Sequence, residues 1–116
     1  MSHSGCRSSG LLTNTHKNGV TSAEPHLVHS GRCKLVSIHV TNLHTDAPGV
    51  LTVYDNIAAS GKIVGKMYMV PQTDAGAGGA GFSGNTMEFD MHGVICDNGL
   101  MVDFTGGTLE CTIEYA

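Results

Sequence analysis

Residues 85–116 read NTMEFDMHGVICDNGLMVDFTGGTLECTIEYA, and the spacing of apolar residues in this stretch decides the fold class. Met87, Phe89 and Met91 alternate with Glu88, Asp90 and His92. Leu100, Val102 and Phe104 alternate with Met101, Asp103 and Thr105. Leu109, Cys111, Ile113 and Tyr115 alternate with Thr108, Glu110, Thr112 and Glu114. A strict period of two means strands with one face buried. Asp97-Asn98-Gly99 and Gly106-Gly107 separate the runs, and Asn-Gly and Gly-Gly supply the positive φ angles of two-residue hairpin turns. The stretch is therefore predicted to be an antiparallel meander on which the upstream chain packs.

Upstream, the same period continues. Cys33–Leu43 is predicted to be a strand with Val36, Ile38 and Val40 on one face and Ser37, His39 and Thr41 on the other. Residues 45–49, TDAPG, form a turn, and Val50–Tyr54 is a second strand with Leu51 and Val53 inward. Residues 55–61 connect it to a third strand, Lys62–Val70. That strand is apolar on both faces (Ile63, Met67, Met69 against Val64, Tyr68, Val70), which fits a central or an interface strand. Pro71 ends it, and the Gly-dense loop of residues 73–84 follows. Residues 1–32 show no sustained period and are read as an extended, polar N-terminal arm. The fold class is all-β: a single antiparallel β-sandwich or jelly-roll-like domain over residues 33–116, carrying the arm of residues 1–32.

The chain has 116 residues, enough for one domain. Its net charge of −4 is uneven. Arg7, Lys17, Arg32 and Lys34 face Glu24 alone in residues 1–34. In residues 35–116 only Lys62 and Lys66 offset Asp46, Asp55, Asp74, Glu88, Asp90, Asp97, Asp103, Glu110 and Glu114. A basic segment on an acidic body suits docking to a complementary surface. No basic cluster is interleaved with aromatics, so nucleic acid is not an expected partner, and no apolar run is long enough for a membrane helix. Residues 1–10, MSHSGCRSSG, hold no apolar secretion core, so the four cysteines are expected as thiols. Within strands, Cys33, Cys96 and Cys111 serve as small apolar residues.

Several patterns raise the question of chemistry. His26, His29 and Cys33 have a spacing that could converge on zinc, but no fourth ligand of matching spacing accompanies them, and no metal is expected. Gly76–Gly81 formally matches G-x-G-x-x-G. The next predicted element is a strand rather than a helix, so the phosphate-binding reading fails, and no cofactor is expected. There is no EF-hand run and no G-x-S-x-G elbow. Asp46 and Asp97 open turns, the ordinary role of Asp there. The histidines His39, His44 and His92 are expected to hydrogen-bond across strands or an interface. An enzyme is not expected.

Gly49–Gly61, GVLTVYDNIAASG, and the closing strand pair from Gly99-Leu100 to Tyr115 resemble small tailed-bacteriophage virion proteins. These have a G-x-L-T-V-Y-D strand, a short A-S-G connection and a G-L-x-V-x-x-x-G-G-T-L-x-x-T-I-x-Y closing pair. The resemblance covers residues 33–116. It implies a β-sandwich structural protein of a phage particle, made in the host cytoplasm and resident in the virion. A head decoration or cement protein on the major capsid protein comes first. A tail-associated adaptor, or a receptor- or carbohydrate-binding β-module, is the alternative. Such families carry no catalytic residues, so none transfer. Homo-oligomerisation is expected. Contacts with the capsid or another virion protein are expected from the arm, through Arg7, Leu11, Leu12, Lys17, Leu27, Val28 and Arg32, and from the Gly-rich loop, through Gly78 and Phe82.

Overall fold

Cys33–Asn42 is the strand around which one sheet is built, and Gly49–Asp55 has that place in the other. The computed structural model describes residues 6–14, 25–71 and 86–116. In chain order the strands are β1 (Arg7–Ser8), β2 (Leu12–Thr13), β3 (His26–Ser30), β4 (Cys33–Asn42), β5 (Gly49–Asp55), β6 (Lys62–Met69), β7 (Thr86–Cys96), β8 (Gly99–Thr105) and β9 (Leu109–Tyr115). Sheet 1 has the order β1-β9-β4-β7, with β2 continuing the β1 edge along β9. Sheet 2 has the order β3-β8-β5-β6. Every pairing is antiparallel.

The two sheets share one apolar core. Sheet 1 contributes Leu35, Ile38, Val40, Cys96, Leu109, Cys111 and Ile113; sheet 2 contributes Leu51, Val53, Met67, Met69, Leu100, Val102 and Phe104. Each fully buried aliphatic side chain stabilises the fold by about 1.5–3 kcal/mol relative to exposure. The protein is thus an antiparallel β-sandwich in which the chain passes between sheets at almost every step. Among the described residues, β5 and β6 are the one pair of consecutive strands that form a hairpin.

That connectivity corrects the meander predicted for residues 85–116. The strands start where the period placed them, although β7 runs on past His92 to Cys96. However, β7 and β9 lie in sheet 1 and β8 lies in sheet 2. The turns at 97–98 and 106–108 are arches between sheets, not hairpins. Asn98 and Gly99 do not adopt the positive φ of a two-residue hairpin turn. A side chain on Gly99 would instead strike backbone, since a Cβ there would lie 2.9 Å from the carbonyl oxygens of Asn56 and His29. Glycine is needed for close approach, not for turn geometry. Gly106 and Gly107 do take positive φ (72° and 65°), but they carry the chain across the end of the sandwich.

Bulges correct two facing assignments. In β4 the register with both β7 and β9 shifts between Leu35 and Ser37. Val36 is the extra residue against β9, so Leu35 rather than Val36 shares the core with Ile38 and Val40; against β7 the extra residues lie on β7, where Met91–Gly93 stand opposite Val36. His92 (φ 55°) and Gly93 (φ 75°) absorb the mismatch on β7. In β6, Val64 is the extra residue opposite the Val53–Tyr54 step. Ile63 therefore leaves the core face and is 48% exposed, while Met67 and Met69 stay buried. β6 is an edge strand of sheet 2, which removes the central-strand reading.

The described parts of residues 1–32 lie extended on the chain's own sheets. β1 and β2 line the free side of β9, and β3 lines β8. Ser9 N–H donates to the Ile113 carbonyl (2.8 Å), and Ile113 N–H donates back to Ser9 Oγ (2.9 Å). Asn14 repeats the device, with its Oδ1 accepting from Leu109 N–H at 3.0 Å. His26 Nε2 meets the Thr13 carbonyl at 3.0 Å, tying β3 to β2 across the two sheets.

Candidate functional surface

Residues directly opposite in a ladder project from the same face, so the register displays both outer surfaces of the sandwich. On sheet 1 the outward rows are Ser37 with Asp90 and Glu114, His39 with Glu88 and Thr112, and Thr41 with Thr86 and Glu110. These rows are polar and acidic, while Ile95 opposite Lys34 is exposed (43%) at the far end of the face. On sheet 2 one row runs Leu27–Met101–Tyr54–Ile63 across all four strands, and a second runs Thr105–Val50–Tyr68. Between them lies Asp103–Thr52–Lys66. This face is largely apolar.

The ends of the apolar rows are accessible, whereas Met101 is buried at 5% exposed. Tyr68 is 69% exposed and Leu27 50%. Lys66 Nζ sits 5.6 Å from the Tyr68 ring centre, a cation held over the aromatic face. Beyond Tyr68 the surface continues into an open hollow of about 490 Å³, bordered by Pro48, Val50, Tyr68, Val70 and Pro71 with Asp46 on its rim. Exposed apolar side chains grouped on one face in this way mark an interaction surface more often than an isolated exposed Leu does.

The polar face holds one arrangement with the residue types of a hydrolytic relay. His39 Nε2 lies 3.3 Å from Ser37 Oγ, and His39 Nδ1 lies 3.2 Å from Glu88 Oε1. Ser37 Oγ, however, donates its one proton to Glu114 Oε1. Toward His39 it can only accept, the reverse of what a base-activated nucleophile requires. The row acts as a cross-strand hydrogen-bond network, the role expected for His39 from the sequence. His44 Nδ1 accepts from the backbone N–H groups of Asp46 and Ala47, closing the β4–β5 connection.

The zinc-spaced residues are dispersed. The His26 ring meets Phe104 edge-on at 5.6 Å and the His29 ring packs on Tyr115 at 5.5 Å, while Cys33 is buried in the core. Among the described residues no group of three or more His, Cys, Asp or Glu is placed to hold a metal ion.

The contact residues read from the sequence fall in different places. Leu27 joins the apolar row of sheet 2. Leu12 and Val28 are half-buried and pack against the core. Arg7 and Leu11 are exposed at the β1–β2 edge of sheet 1, and Arg32 lies in the β3–β4 turn with its Nε 4.0 Å from Asp97. Lys17, Gly78 and Phe82 lie outside the described residues. The sequence reading named none of Val50, Tyr54, Ile63 and Tyr68 as contact residues. Their signal was present, since β5, β6 and β8 are apolar at consecutive positions, but it does not say which of the two faces meets the core.

Fold and surface together define a two-sheet β-sandwich with one polar and one apolar outer face. No protein-family profile, curated protein or solved structure matches the chain.

Proposed function

We propose that this chain is a structural protein of a phage particle, a head decoration or cement protein that docks on the major capsid protein through the outer face of sheet 2. The observation that carries the reading is the contrast between the two outer faces. A free-standing sandwich gains nothing from exposing Leu27, Tyr54, Ile63, Val50 and Tyr68 on one side. A protein that lies flat on a shell gains burial of that side while its acidic side faces solvent. The sequence resemblance over residues 33–116 points the same way. Many copies per particle add weak contacts through avidity, and the sandwich works as a homo-oligomer on the shell. Exposed Tyr68 beside the proline-lined hollow favours the receptor- or carbohydrate-binding module as the second reading.

The test is co-sedimentation of purified protein with particles that lack it. Ile63→Asp and Tyr68→Asp should abolish decoration, while Glu88→Gln and Glu114→Gln on the opposite face leave it intact. Retained decoration by the sheet 2 variants would refute docking through this face. Tyr68-dependent retention on a glycan array, with no particle binding, would select the carbohydrate module.

A further inference from the structure

Cys33 opens β4, Cys96 closes β7, and the two are direct partners in the β4–β7 ladder. Opposed residues of an antiparallel ladder have Cα atoms about 4.5–5.5 Å apart, within the roughly 4.4–6.8 Å that a disulfide spans. Both side chains are buried, 5% and 0% exposed, in the same core cluster. Both are free thiols, and they hydrogen-bond to each other. Cys111 is also buried, but its ladder partners are Leu12 and Val40, so it faces no second sulfur.

The pair is asymmetric in a useful way. Cys33 borders a hollow of about 310 Å³ together with Arg32, Lys34 and Ala116, whereas Cys96 lies wholly inside. Burial raises both thiols, Cys96 to about 11, and the hydrogen bond between them raises Cys96 while lowering Cys33. Cys33 is therefore the more accessible of two buried sulfurs, and the hydrogen bond between them favours ionisation at Cys33 over Cys96. Arg32 and Lys34 border the hollow with positive charge, which favours approach by an anionic reagent, while the Asp55 carboxylate adds to burial in raising both thiols.

We propose that Cys33 and Cys96 form a thiol–disulfide site that an anionic low-molecular-weight disulfide of the glutathione class oxidises to a cross-strand bridge. The Cys33 thiolate attacks one sulfur of the small disulfide, forming a mixed disulfide and releasing one small thiol. Cys96 then attacks the Cys33 sulfur, and the second small thiol leaves. The two protein thiol protons end on the two released thiols, the protein loses two electrons and the small disulfide gains them. In a reducing cytosol the pair stays a dithiol. Outside it, the bridge joins β4 to β7 at one end of sheet 1 and closes a long loop, which stabilises the folded chain. This inference is independent of the proposed particle function.

The experiment uses the full chain, reduced and then incubated with oxidised glutathione, with reduced glutathione as control. Remaining thiols are blocked with a maleimide in denaturant and mapped by peptide mass spectrometry. The expected result is a Cys33–Cys96 cross-linked peptide, loss of both thiols at the same rate, and a raised thermal midpoint that a reductant reverses. Cys96→Ala, checked for folding by circular dichroism, should stop at a Cys33–glutathione mixed disulfide. The proposal fails if Cys33 and Cys96 stay available to maleimide after Cys6 has reacted. It fails equally if the wild-type chain keeps glutathione on Cys33 without bridging, or if the bridge recruits Cys6 or Cys111. The wild-type map decides the matter even if the variant does not fold.

Discussion

Asp55, at the end of β5, is 4% exposed and receives the backbone N–H groups of Asn98 (2.8 Å), Asp97 (3.1 Å) and Gly99 (3.4 Å). These bonds, led by that from Asn98, hold its carboxyl below the usual carboxylate range against the opposing cost of burial. The residue fastens the β7–β8 arch to the opposite sheet. Because its native value is lowered, its contribution is complete above the unfolded value of about 4. It is lost as pH falls through the lower native value. Asp55→Asn should cost about 2–3 kcal/mol at neutral pH, with the difference from wild type shrinking in acid; urea denaturation at both pH values measures this. Gly99 is the companion case. Gly99→Ala drives a Cβ into two carbonyl oxygens and should cost about 2–3 kcal/mol. Gly31→Ala, where only the positive φ of 99° resists and space is open, should cost about 1 kcal/mol. Comparing the two denaturation midpoints separates close approach from backbone conformation. Neither role was legible in the sequence. Asp55 reads there as a loop residue after a strand, and Gly99 as half of an Asn-Gly hairpin turn, because the group each one meets is more than forty residues away in the chain.

At the level of elements, periodicity located β4, β5, β6, β8 and β9 to within a residue or two, and the start of β7 though not its end at Cys96, since burial of one face imposes the period directly. It could not locate β1 to β3. Those strands are short, take their alternation from the edges they join, and owe much of their pairing to side chains such as Ser9 and Asn14 acting in place of backbone groups. The structure gives this segment a job that composition concealed, covering the β9 edge of sheet 1. Deleting residues 1–14 should lower stability by about 2–4 kcal/mol, through lost burial of Leu12 and lost edge hydrogen bonds. It should also cause concentration-dependent association as β9 becomes an open edge. Light scattering against concentration, beside a denaturation curve, tests both effects. The buried Asn42 is another element-level joint. Its amide donates to the carbonyls of Ala47, Val70 and Met69 and accepts from His44 and Thr108 N–H groups, joining four segments at one end of the sandwich.

For the whole molecule, the telling feature is the division of the outer surface into an acidic face on sheet 1 and an apolar face on sheet 2. The docking reading requires that the apolar face contribute little to folding. Ile63→Asp and Tyr68→Asp, on exposed positions of edge strand β6, should therefore change unfolding free energy by no more than about 0.5 kcal/mol while removing particle binding. A large loss of stability in either variant would mean that the face is part of the core.

The sequence by itself determined that this protein is all-β, where its main strands run and most of the residues that enter the core, because alternation is a local consequence of burying one side of a strand. Leu51, Val53, Ile38 and Ile113 could be read that way without any structure. Only the tertiary structure decided which strands are neighbours, that 97–98 and 106–108 cross between sheets, and that Leu27, Met101, Tyr54 and Ile63 form one row. A turn dipeptide specifies backbone angles at two residues, and two bulges reverse facing beyond them. Which strand lies beside which is settled by contacts between residues far apart in the chain, such as Asp55 with the arch at Asn98 and Asn42 with Thr108.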